Sequence, residues 1–122
     1  MNKYEKLFQS IFDKTKNKDI KWKQINKTAH SDLIFNPNLV FRQFSGSFQK
    51  GKGIFEVIFI EKKMDDPEHH FTYQKYSPEL LVIDEDNELL VTLTDSIIDK
   101  NQMIELMSLL ENKNERARVL FE

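Results

Sequence analysis

The chain of 122 residues has no cysteine, and glycine, proline and tryptophan number only three, three and one. The first absence removes disulfides, thiolate nucleophiles and every zinc site that needs a cysteine ligand. Scarce glycine and proline leave no linker or low-complexity tract. Arginine is confined to Arg42, Arg116 and Arg118, so the side chain that best clamps phosphates and reads guanines is nearly missing. No apolar run approaches the roughly 20 residues a membrane-spanning helix requires. The opening "MNKYEKLFQSIFDKTKNKD" spaces charges among its apolar residues and lacks the unbroken apolar core of a signal peptide. A soluble, cytoplasmic protein is expected.

What the chain does have is a hydrophobic fraction of 39% and ten phenylalanines, enough for one core and therefore for a single domain over residues 1–122. Its net charge of -2 conceals an asymmetry. Residues 1–30 carry eight Lys against Glu5, Asp13 and Asp19. Residues 65–99 carry ten acids, Asp65, Asp66, Glu68, Glu79, Asp84, Glu85, Asp86, Glu88, Asp95 and Asp99, against Lys75 alone. A field of this kind steers charged partners, although a charge run also serves simply as a solvated face.

Periodicity supplies the fold class. Tyr4, Leu7, Phe8, Ile11 and Phe12 form one apolar helical stripe, which predicts a helix from about Asn2 to Thr15. Ile20 and Trp22 alternate with Lys21 and Lys23 as a short strand does, with Trp22 a core anchor. The segment from Thr28 to Asn38 shows no clear period. "LVFRQFSGSF" and "IFEVIFI" flank the glycines as two strands of a hairpin. In the second, Ile54, Ile58 and Ile60 alternate with Phe55, Val57 and Phe59, the mark of a central strand covered on both faces. The segment Phe71 to Tyr76 reads as a strand or extended arm. "ELLVI" and "ELLVTLT" flank the acidic turn Asp84 to Asn87 as a second hairpin. Asp99 and Gln102 have the spacing of a capping box before the stripe Met103, Leu106, Met107 and Leu110. The expected architecture is α+β, with an N-terminal helix, a meander of about five antiparallel strands and a C-terminal helix.

The stretch Gly46 to Gly53, "GSFQKGKG", is one residue short of a phosphate-cradling loop, since Gly53 stands where Ser or Thr would bind magnesium. Such a loop needs a helix N-terminus to converge its backbone donors, and here a strand follows. Positive φ at Gly51 and Gly53 in a hairpin turn, with a bulge at Gly46, is the expected role.

Other chemistry is weaker. "DDPEHH" at 65–70 gathers acids with His69 and His70, but adjacent histidines in an extended chain point apart and Pro67 suits an exposed loop. His30 is read as a surface residue. Ser45, Ser47 and Ser77 lack a nucleophile elbow. No catalytic, metal-binding or cofactor-binding residue is therefore assigned, and no cofactor is expected.

Three function classes remain. The first is a non-enzymatic protein-interaction module, of inhibitor, immunity-protein or chaperone and adaptor kind, whose partner is a basic protein or a second copy of the chain. Its contact residues would be the acids Asp65, Asp66, Glu68, Asp84, Glu85, Asp86 and Glu88, or an apolar sheet face around Ile58 and Ile83, left open because two helices are too few to cover both faces. The second is nucleic-acid binding through the lysines around Trp22, against which the sequence pI of 5.9 speaks. The third is a small enzyme of unidentified chemistry.

Overall fold

The first helix, α1 (Lys3–Lys16), starts where Asn2 accepts the Glu5 N–H at 2.9 Å and ends with Lys14 and Lys16 beside its exposed carbonyls, both favourable to the helix dipole. The computed structural model describes residues 1–65 and 74–112. After α1 the chain runs through β1 (Lys23–Ile25), β2 (Val40–Lys50), β3 (Gly53–Asp65), β4 (Gln74–Tyr76), β5 (Glu79–Ile83) and β6 (Leu89–Thr94) to the closing helix α2 (Lys100–Asn112). The expected α+β architecture is present: β1, β2, β3, β5 and β6 follow one another as an antiparallel meander between the two helices, and β4 pairs with the far end of β3.

The long hairpin of β2 and β3 closes across Gly51 and Lys52, with Lys50 opposite Gly53. Gly51 has φ 62° while Lys52 keeps an ordinary φ, the combination of a two-residue loop that begins with glycine. Gly53 needs no positive φ. Gly46 also has another role than a bulge, because the register passes it regularly opposite Val57 and shifts instead between Val40 and Arg42. A Cβ on Gly46 would stand 2.5 Å from Ile20 Cγ2 and 3.1 Å from the Trp22 ring. The glycine is a seat for the Ile20–Trp22 segment where it crosses β2.

Alternation on the strands builds two cores. One face carries Phe44, Phe48, Val57, Phe59, Leu80, Val82 and Leu93, and both helices pack on it through Phe8, Ile11, Met103, Leu106 and Leu110. The other face carries Ile58, Ile60, Leu81 and Ile83, flanked by Val40 of β2 and Ile25 of β1 and covered by Ile34 with Leu33 alongside. This cover is the segment between β1 and β2. It lacked a legible period because it is a series of turns ending in a 3₁₀ turn at Pro37–Leu39. Gln43, buried in β2, holds it by donating from Nε2 to the carbonyls of Lys27, at 3.0 Å, and Ala29, at 2.5 Å.

Ile58 and Ile83 are each 0% exposed. The expectation of an open apolar face around them is corrected, since a loop supplies the layer that the helices do not. Truncating Ile58→Ala should therefore cost about 2–5 kcal/mol of stability through the cavity it leaves. Urea unfolding measures it, and a loss under about 1 kcal/mol would mean the site is solvated. Gly46→Ala should cost about 1–3 kcal/mol by overpacking Ile20 and Trp22, seen as a lower denaturation midpoint with an unchanged slope.

Candidate functional site

The acidic turn between β5 and β6 is built around Asp84. Its Oδ1 accepts the N–H groups of Asp86 and Glu88, both at 2.9 Å, and its backbone exchanges bonds with Glu88 and Asn87. Asn87 takes φ 62°, a left-handed conformation that asparagine tolerates better than most residues. The turn is thus held by one half-buried carboxylate, while Glu85, Asp86 and Glu88 are exposed. Glu85 reaches the neighbouring hairpin, where its Oε1 accepts the Ile54 N–H at 3.3 Å. Among the described residues none of these four acids joins an ion pair.

The remaining sequence-predicted acids do not all join them. Asp66 and Glu68 lie outside the described residues, as do His69, His70 and the rest of that segment, and Asp65 is placed only as the last residue of β3, opposite Gln74. Asp95 and Asp99 follow β6 at its other end. Asp99 caps α2, its Oδ1 accepting the Asn101 N–H at 2.8 Å. Acids therefore bracket β6 at both ends.

The ionic groups that sequence reasoning did not single out are internal. Arg42 Nε donates to Glu61 Oε2 at 2.5 Å and its Nη2 to Glu111 Oε1 on α2, with the Glu61 side chain fully buried. Lys62, next in β3, is nearly buried and donates to Glu79 Oε1 at 2.6 Å and to the Phe35 carbonyl. Burial pushes the Glu61 carboxyl above its ordinary value; the Arg42 guanidinium pulls the other way, and nearby Glu111 reinforces the rise. One Glu61 oxygen, Oε1, is buried without a hydrogen-bond partner among the described residues. Beside this cluster Lys63 Nζ stands 4.5 Å from the ring of Phe41 and 5.2 Å from that of Tyr76, a cation held between two aromatic side chains.

Trp22 is half-buried. Its indole N–H donates to Thr15 Oγ1 at 3.0 Å and its ring lies against Gly46, so it ties β1 to α1 as an anchor. Lys52 sits in a hairpin loop that a strand follows, without the helix N-terminus a phosphate loop uses. Among the described residues no three His, Asp or Glu side chains come together in a way that could hold a metal ion, and no helix is long and apolar enough to cross a membrane. Compared with known proteins, the chain matches no family model, no curated protein and no solved structure.

Because Glu61 has a raised pKa when folded, the fold favours its protonated form. Its contribution to stability is complete below the ordinary glutamate value and declines as pH rises through the raised one. The stability difference between wild type and Glu61→Gln, followed by urea unfolding across that interval, should shift in favour of Glu61→Gln as pH rises. A difference that stays flat would mean the carboxyl holds its proton equally well folded and unfolded.

Proposed function

We propose that the chain is a protein-interaction module that binds a basic protein, with the turn Asp84 to Asn87 at or near the contact. The observation that supports this reading is the arrangement of that turn. Among the described residues three exposed acids, Glu85, Asp86 and Glu88, have no ion-pair partner, and they are presented by a turn whose backbone Asp84 holds by two hydrogen bonds. Charge on an ordered turn is brought to a partner at little cost in backbone freedom, and among the described residues no ion pair must be given up. Glu61, buried, and Glu79, half-buried, are paired inside the protein with Arg42 and Lys62, so the two classes of carboxylate are separated by position. Inhibitors, immunity proteins and adaptors use such surfaces. The nucleic-acid alternative has less support, since the aromatic it needs for stacking is committed to Thr15 and Gly46.

The charge should set the rate of association and its dependence on salt. Replacing Glu85→Gln, Asp86→Asn and Glu88→Gln, with Asp84 kept to hold the turn, should leave the unfolding midpoint nearly unchanged. It should slow association with a captured partner about tenfold at low ionic strength and flatten the salt dependence. Surface plasmon resonance on the purified partner reads both. Recovery of nucleic acid in place of a protein, or an association rate indifferent to the three substitutions, would overturn the reading.

A further inference from the structure

We infer that the outer edge of β6 takes an extended, basic-flanked segment of a protein partner as an added strand. This rests on the reading that the partner is basic, and it specifies how that partner is held.

The sheet has two ends, and they are treated differently. At one end stands β1, three residues long, beginning with the exposed Lys23 and preceded by the exposed Lys21. Shortness and lysine are the usual protections of a strand edge. At the other end stands β6, "LLVTLT", twice as long, with no charge and no proline. Its inner edge pairs with β5 from Thr94 opposite Glu79 to Leu89 opposite Ile83, a register shift leaving Leu90 without an opposite residue. Among the described residues no bond reaches the outer edge of Leu89 to Leu93. Those outward N–H and C=O groups are what a further strand pairs with.

A groove runs beside that edge. Tyr4 and Leu7 of α1, Leu90 and Val91 of β6, and Ile97 after it form an apolar lining over about 450 Å³, with Lys3 at its border. Leu90 and Ile97 are 47% and 40% exposed, although both are large aliphatic side chains that the two cores do not use. A strand laid against β6 sends alternate side chains to this groove, which fixes the apolar positions of the occupant.

Charge decides between occupants. Glu85, Asp86 and Glu88 precede the strand and Asp95 and Asp99 follow it. In a second copy related by a two-fold axis through the middle of β6, Glu88 of one chain would face Asp95 of the other, and like charges directly opposite are destabilising. An extended segment with Lys or Arg at both ends meets an opposite charge at each.

The probe is a synthetic strand, Lys-Lys-Val-Thr-Val-Thr-Val-Lys-Lys, titrated into the isotope-labelled full chain. The expected result is amide shifts and slowed hydrogen exchange at Leu89 to Thr94, with side-chain shifts at Tyr4, Leu7 and Ile97. A second probe, N-methylated at two adjacent central residues, keeps every charge but loses a donor on each edge, and should bind about tenfold more weakly or worse. Equal binding of the two probes overturns strand addition while leaving the acidic-contact reading standing. Equal binding of the first probe to wild type and to the chain carrying Glu85→Gln, Asp86→Asn and Glu88→Gln overturns both. Absence of any change at β6, or β6 protection that grows with chain concentration when no probe is present, also overturns the inference, the latter by making a second copy the occupant.

Discussion

Two neighbouring residues of opposite charge, Glu61 and Lys62, hold the layers of this protein together. Because side chains alternate across a strand, they leave β3 on opposite faces. Glu61 binds Arg42, which also binds Glu111 near the end of α2. Lys62 binds Glu79 of β5 and the Phe35 carbonyl of the turn segment. One dipeptide therefore fastens the helical layer on one side and the loop layer on the other. Buried ion pairs seldom add net stability over well-packed apolar groups, since desolvation cancels much of the attraction. What they impose is position: a shift of β3 by one residue would exchange the two charges between faces and leave both without partners.

That constraint explains how a chain with two helices covers a sheet with two apolar faces. Both helices lie on the face of Phe44 and Phe59. On the opposite face Ile34 and Leu33, with Val40 at the start of β2, close over Ile58 and Ile83. A turn-rich layer brings backbone polar groups near an apolar surface, and each needs a partner. Lys62 and Gln43 are among those partners, reaching from the sheet to carbonyls at Phe35, Lys27 and Ala29. Gln43 and Lys62 thus serve the loop, while Ser45 and Glu61, also buried, bond across the hairpin to Glu56 and Arg42.

The elements legible in the sequence were those with a local cause. The α1 stripe, the glycine hairpin, the acidic turn and the Asp99 cap each depend on residues a few positions apart, and periodicity or turn chemistry reveals them. Whatever depended on distant residues was not legible. Arg42 and Glu111 are 69 positions apart, and nothing in either neighbourhood announces the pair. The same limit misplaced Gly46: its need for hydrogen in place of a methyl comes from Ile20 and Trp22, not from its own strand. It also misplaced Ile58 and Ile83, whose alternation predicted burial on both sides but whose cover had no period to read. The exposed acids of the turn were legible, though their separation from the buried, paired carboxylates was not.

The two ends of the sheet follow from the same division of labour. On β1 exposed Lys23, with Lys21 before it, solvates a short edge, while Ile20 and Trp22 reach inward to Gly46 and seat the segment that leads into the strand. On β6 every ionic group lies before or after the strand, and the apolar residues that the cores do not use, Leu90 and Ile97, gather beside it with Tyr4. Placing charge only at the ends of an edge leaves its main-chain groups available but selects what can approach them. In the proposed binding mode the acidic turn and the neutral strand would be parts of one surface: the turn would discriminate by charge, and the strand behind it would offer hydrogen bonds that are indifferent to sequence.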